Sequence, residues 1–348
     1  MSTPTPAPTP RTLDELSDIV TPYAIRIAAT LRLADHMAAG HTKVADLAEA
    51  SGTRPRPLAA ILEYLSRRGV FARLSPQEFG LNAEAERLRD DHPGGLRFRL
   101  DLDEVGSHVE TAHLSYIDFA RRDAESGSAY QARYGTDLWT ALAQDPALGV
   151  SWDRFMSMIT QIATDQVVTR FDWSRRSHLV DVGGGSGTLL LAVLAAHPEL
   201  SGTLVEIDPA ASAAREAIQA AGLGTRATVA EQSFFAPLPD GGDVYLLAQV
   251  LHDWDDADAV RILRRCAEAA GPDGRVLLVE RLPHLDTSRL HASWMDLRML
   301  MLFGGGERTE EQYRTLITDA GMSLDLTQVV SSGALGGEMV LLECSVRR

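Results

Sequence analysis

The sequence predicts an α/β fold: a doubly wound, seven-stranded sheet closed by an antiparallel hairpin, behind an α-helical N-terminal domain. Three observations carry this. His178 to Pro209 reads as strand, glycine turn, helix, strand. A β-branched run ends in the turn 183–187, an apolar run of helical length spans Thr188 to Ala196, and Thr203 to Ile207 is apolar again and closes on acids. Strand and helix patterns then alternate as far as Glu280, which argues for a parallel, Rossmann-like sheet. Last, Ser323–Val330 and Glu338–Val346 read as consecutive strands joined by a glycine loop, the closing hairpin.

The glycine turn is chemically informative. Gly183, Gly185 and Gly187 let the backbone pass close under a ligand, because no side chain stands in the way. Asp181 precedes them, and Glu206 follows where a nucleotide-binding βαβ unit places an acid on ribose hydroxyls. A dinucleotide loop would need a third glycine at position 188, which is Thr188. The stretch therefore points to a nucleoside cofactor without a pyrophosphate.

A chain of 348 residues favours two domains, and its net charge of −15 disfavours nucleic acid or an anionic membrane face as partner. Cys266 and Cys344 are the only cysteines and lie in no metal spacing, so no disulfide framework and no metal site are expected. No apolar run reaches membrane-spanning length, and the Pro/Thr-rich opening lacks the core of a signal peptide. The expectation is a cytoplasmic protein with a disordered tail over residues 1–10, a helical domain over 11–165 and a cofactor-binding domain over 166–348.

In chain order, Thr12 to His36 reads as two helices interrupted by Pro22. Residues 42–81 read as helix, turn, helix and two short strands, the winged-helix pattern. A DNA reader would present basic and amide groups on its second helix, which offers only Arg67 and Arg68 at its end. A scaffold or dimerisation module fits better. Residues 96–143 look helical, and Ser151–Val168 is a helix with Phe155, Met156, Ile159, Ile162 and Ala163 on one stripe. The apolar faces between Arg11 and Ala143 exceed what a core of that size needs, so a homodimer is expected. Thr309 with Gln312 forms a capping box for a late helix.

Ligands of open parallel sheets bind off the carboxyl ends of the strands. That edge gathers Asp181, Glu206, the segment from Glu231 to Phe235, Gln249, His252-Asp253-Trp254 and Glu280, with Glu307 arriving from a glycine loop. An imidazole among several carboxylates suits proton removal from a hydroxyl, since neighbouring carboxylates fix its tautomer and favour the imidazolium.

Four segments, LVDVGGGSG, SFFAPLP, VLHDWDD and DLRMLMLFGGGERT, lie in this order behind the helical domain. Together they resemble the small-molecule O-methyltransferases that use S-adenosylmethionine, a family that includes plant caffeate-type enzymes and bacterial polyketide and aromatic-acid enzymes of antibiotic biosynthesis. The resemblance implies His252 as general base, flanked by Glu280 and Glu307. It implies Asp181, Gly183, Gly185, Gly187, Glu206, Ser233, Phe234 and Gln249 around the cofactor, whose product is S-adenosylhomocysteine. It implies Trp139, Phe155, Met156, Ile159, Asp253, Asp296, Met299 and Phe303 around a small aromatic acceptor of orsellinate or naphthoate type. Ala248 stands where many members carry a lysine, and Ser233 replaces a common aspartate. Arg298 reads either as a partner for an acceptor carboxylate or as a solvated surface arginine. Relatives of the same fold that hydroxylate or decarboxylate are the alternative, and a winged-helix regulator is the alternative from another class.

Overall fold

The computed structural model describes residues 12–121, 127–283, 285, 289–333 and 337–347, and within these the side chains of residues 159–163, 165, 289–292, 331–333, 337 and 338 are not described. The expected tail over 1–10 lies outside the described residues. The chain divides into two compact units, residues 1–110 and 111–348. The expected boundary is at 165/166; the short helices after residue 111 pack with helices of the second unit.

In the first unit, helices Leu13–Leu16, Val20–Thr30 and Leu33–Ala38 replace the two expected. Pro22 does not interrupt a helix; it sits in the first turn of Val20–Thr30, where a missing N–H costs nothing. Helices Val44–Ala50 and Pro55–Arg67 lead into a hairpin of β1 (Ala72–Ser75) and β2 (Glu78–Gly80), as the pattern predicts. Leu47, Leu58, Leu62, Leu65, Phe71 and Phe79 bury against one another and fix that arrangement. Arg67 pairs with Glu63 and Arg68 with Asp18, so the two arginines at the end of the second helix are committed within the unit.

The second unit begins with short helices, the segment expected to be broadly helical, and then the long helix Pro146–Arg170. Its sheet has strands β3 (His178–Val182), β4 (Ser201–Glu206), β5 (Ala227–Glu231), β6 (Val244–Ala248), β7 (Arg275–Arg281), β8 (Met322–Gly333) and β9 (Gly337–Val346). Their order is β5-β4-β3-β6-β7-β9-β8, parallel except for β9, which runs antiparallel to both neighbours. The central strands are apolar throughout because helices cover both faces, so β6 is buried from Val244 to Leu247. One face packs Val180, Tyr245, Ile262, Leu263 and Cys266; the other packs Leu179, Leu190, Val193, Leu246 and Leu277. The order in which strands are added switches sides at β3, with β4 on one flank and β6 on the other, so the carboxyl ends of these parallel strands open onto one crevice.

Candidate active site

The crevice holds a cavity of about 350 Å³. Among its lining residues are Asp181, Gly183, Gly185, Glu206, Ser233, Phe234 and Gln249, all expected to hold the cofactor, and Trp139, Met156 and Asp253, expected to meet the acceptor. Gly187 is not in the lining; at φ +85° it caps helix Thr188–Ala196 instead. Glu206 reaches back from β4, its Oε2 accepting the Gly185 N–H at 3.1 Å and its Oε1 the Ile207 N–H at 2.9 Å. That ties the glycine turn to the acid. Asp181 is buried with neither carboxylate oxygen hydrogen-bonded, and burial together with the Glu206 charge pushes it up to about 7. A buried acid with open acceptors beside a glycine turn fits a cofactor carrying positive charge. Gln249, which ends β6, holds φ +56° and donates its N–H to the Val279 carbonyl at 2.8 Å, a strained posture at the cavity wall.

His252 lies on a single helical turn after β6, next to but not in the cavity lining. Its Nδ1 is 3.5 Å from Glu280 Oε2 and 3.6 Å from Glu307 Oε1, and its Nε2 is 3.4 Å from Asp253 Oδ1. Burial alone would lower this imidazole, but the carboxylates of Asp253, Glu280 and Glu307 outweigh it and lift it to about 10. Burial likewise pushes Asp253 up to about 7, against the pull of His252, and raises Glu280. Glu280, at the end of β7, spends its other oxygen on the turn itself, accepting the N–H groups of Val250 at 3.2 Å and Leu251 at 2.9 Å.

Sequence reasoning gave no role to the residues that lock Glu307 in place. Gly306 donates its N–H to the His252 carbonyl at 3.1 Å, and a Cβ on Gly305 would sit 2.3 Å from the same oxygen, so the loop docks only as glycine. Arg308 is buried and donates to the carbonyls of Leu251 and Trp254, each at 2.7 Å, and to Asp256 Oδ1 at 2.9 Å. The signal for it was the arginine inside GGGERT, two of whose partners are backbone carbonyls and therefore silent in sequence.

Of the remaining expected acceptor residues, Phe155, Asp296, Met299 and Phe303 do not line the cavity. Phe303 stacks on Trp139 at 5.3 Å between centroids, and Phe155 tilts against Trp152, which does line the cavity. Met299 is buried, and Asp296 accepts the Glu307 N–H at 3.2 Å. The Ile159 side chain lies outside the described residues. Arg298 is not a solvated surface group: it is 7% exposed, with its guanidinium 5.3 Å from the ring centroids of both Phe155 and Trp294.

A parallel sheet with this one reversed strand, a glycine turn and a ribose-type acid on the next strand define the S-adenosylmethionine-dependent methyltransferase class. Within it, the chain belongs to the O-methyltransferase domain family, which matches residues 115–323. It is 43% identical to the 2,7-dihydroxy-5-methyl-1-naphthoate 7-O-methyltransferase of Streptomyces carzinostaticus over 92% of this chain and 94% of that protein. It is 38% identical to aclacinomycin 10-hydroxylase of Streptomyces purpurascens over 95% of this chain and 89% of the relative. A solved O-methyltransferase from neocarzinostatin biosynthesis, in complex with S-adenosylmethionine and 2-hydroxy-5-methyl naphthoic acid, superposes with a TM-score of 0.89 at 40% identity, covering 97% of this chain and all of that one. The chain is thus an S-adenosylmethionine-dependent O-methyltransferase. Among the described residues no helix is long and apolar enough to cross a membrane.

Proposed function

We propose that this enzyme methylates a phenolic hydroxyl of an aromatic, polyketide-derived natural-product intermediate of naphthoate or orsellinate type, with His252 as general base. The observation that carries the reading is the imidazole held between Glu280 and Glu307 at 3.5 and 3.6 Å, beside a cavity that joins the cofactor residues to Trp139 and Trp152. The relatives that act on or bind naphthoic acids support the acceptor class.

Bound in this cavity, S-adenosylmethionine supplies a methyl group already activated on a sulfonium. The protein's work is therefore to hold the acceptor oxygen in line and to take its proton. Glu206 suits the ribose hydroxyls, the amides of the glycine turn suit the amino-acid end, and the tryptophans wall a flat ring. A phenol has a pKa near 10, and the three surrounding carboxylates bring His252 to about the same value, so the fraction of enzyme with a neutral imidazole takes the phenol's proton at little cost. Within the proposal, the first unit serves as a winged-helix dimerisation module, the enzyme acts as a homodimer, and Ser233 and Phe234 sit beside the adenine.

The test is to incubate the enzyme with S-adenosylmethionine and a panel of hydroxylated aromatic acids and polyketide phenols. Formation of S-adenosylhomocysteine with a product heavier by one methyl group is expected. A product heavier by one oxygen, or lighter by carbon dioxide, would instead place the chain with relatives such as the aclacinomycin hydroxylase.

A further inference from the structure

The cavity is lined by five carboxylates, those of Asp153, Asp181, Glu206, Asp208 and Asp253, and among the described residues by no lysine, arginine or histidine. Asp208 is engaged locally, accepting the backbone N–H and hydroxyl of Ser212, and Asp253 faces His252. Asp181 is buried at the cavity wall with neither oxygen in a well-formed hydrogen bond, only the Leu190 N–H standing near, and so can receive an occupant that donates or carries positive charge. Asp153 belongs to none of the sequence motifs and comes from the opposite wall, helix Pro146–Arg170.

Its place along that helix is informative. Gly149, Asp153 and Ser157 recur every four residues and so share a face about 6 Å apart along the axis. Gly149 approaches Pro209, just beyond the ribose acid Glu206, since a Cβ there would be 3.0 Å from Pro209 Cγ. Ser157 Oγ lies 3.0 Å from Ser186 Oγ in the glycine turn and accepts from Thr188 Oγ1 at 3.3 Å. That hydroxyl trio sits at the start of helix Thr188–Ala196, where a carboxylate is favoured. Asp153 is midway between the ribose end and this carboxylate end. In S-adenosylmethionine the atom between ribose and amino-acid tail is the sulfonium sulfur. Asp153 also sits close enough to Glu206 to disfavour its ionised form, a repulsion that a cation between the two acids would relieve.

We propose that Asp153 is the counter-charge for the cofactor's sulfonium, and that it makes the cavity hold S-adenosylmethionine more tightly than S-adenosylhomocysteine. The product cofactor lacks one methyl group and one positive charge. Once the reaction has removed that charge, the carboxylates no longer attract the occupant, and exchange for fresh cofactor follows. The inference rests on the family's cofactor and not on the proposed acceptor.

Calorimetric titration of the purified wild type and Asp153→Asn with each cofactor tests it. The amide should weaken S-adenosylmethionine binding by about tenfold, the scale of one partly screened ion pair, and change S-adenosylhomocysteine binding by less than about twofold. Asp153→Glu keeps the charge and should keep the preference; if the amide variant does not fold, Asp153→Ser replaces it in the same comparison. Equal weakening of both cofactors would make Asp153 a ribose contact or a structural residue, and an unchanged S-adenosylmethionine affinity would leave it no role; either result overturns the proposal. Wild-type protein that bound neither cofactor would instead sink the functional reading.

Discussion

Arg308 Nη1 donates to the Leu251 carbonyl at 2.7 Å, which fastens the loop that carries Glu307 to the turn that carries His252. A second bond from the same guanidinium, to the Trp254 carbonyl, closes the clamp on the far side of His252 and Asp253. The geometry proposed for catalysis is therefore set by backbone atoms gripped from a residue outside the cavity lining.

Arg308→Ala is expected to lower kcat by at least about tenfold while cofactor affinity holds, because it leaves the Leu251 carbonyl with only the Trp254 N–H at 3.3 Å, strips the Trp254 carbonyl of its guanidinium donor, and frees the Glu307 loop from the His252 turn, at roughly 1–3 kcal/mol for a lost buried partner. Arg308→Lys, with one donor end, should recover part of kcat. A variant with a lower melting temperature but normal kcat in its folded fraction would assign the clamp to stability alone.

Glu206→Ala should weaken S-adenosylmethionine and S-adenosylhomocysteine together, by about 10- to 100-fold, since both carry the same ribose and a charge-assisted bond contributes roughly 1.5–3 kcal/mol. Part of the loss comes through the glycine turn, which Glu206 holds by the Gly185 N–H. Glu206→Gln should retain more, because an amide oxygen still accepts. Calorimetry with unchanged affinity would move the role elsewhere; Asp208 is poorly placed to inherit it, being occupied by Ser212.

The cavity acids also set a pH dependence. Burial raises Asp153 to about 6, and Asp181 and Asp253 to about 7, and also raises Glu206. A carboxylate whose folded pKa lies above its unfolded value contributes stability at low pH and loses it as pH rises through that window. His252, raised to about 10, has the same sign: its contribution is present below about 6.5 and fades toward 10. The ligand-free melting temperature should therefore fall between pH 5.5 and 7.5, while the increase caused by S-adenosylmethionine grows over the same range, as its carboxylate partners ionise. Thermal scans with the opposite trend would mean that these acids are already ionised in the ligand-free fold.

What was legible in the sequence was what lies close together along it. The β3–turn–β4 unit is one contiguous pattern, and His252, Glu280 and Glu307 follow strand ends and a cap whose positions periodicity gives. The division at 110/111 was not legible, because short helices broken every few residues carry no period that distinguishes one core from the next. The burial of Arg298, which removes the solvated one of its two readings, was not legible for a related reason. Helix Arg289–Phe303 is apolar around much of its girth, with Met299, Met301 and Leu302 all buried, so no face marked where an arginine would point. Asp153 and Arg308 act across the fold, on partners dozens of residues away, and leave no spacing to read.

His252→Ala should separate binding from turnover. No cofactor contact is assigned to His252, which lies outside the cavity lining, so S-adenosylmethionine affinity should stay within a few-fold of wild type. Turnover should fall by roughly 10²–10⁴, the usual contribution of a positioned general base. Because the surrounding carboxylates hold the imidazole protonated near neutrality, wild-type kcat should climb from pH 7 toward pH 10 as the neutral base accumulates. The gap between variant and wild type should narrow over that range, since a phenol that ionises unaided needs no base. Glu307→Gln should lower turnover less than the alanine at 252, and should shift the wild-type pH profile toward neutrality by removing one of the three charges that raise the imidazole. A His252→Ala enzyme with near-normal kcat at pH 7 would leave proximity to the cofactor as the whole of catalysis.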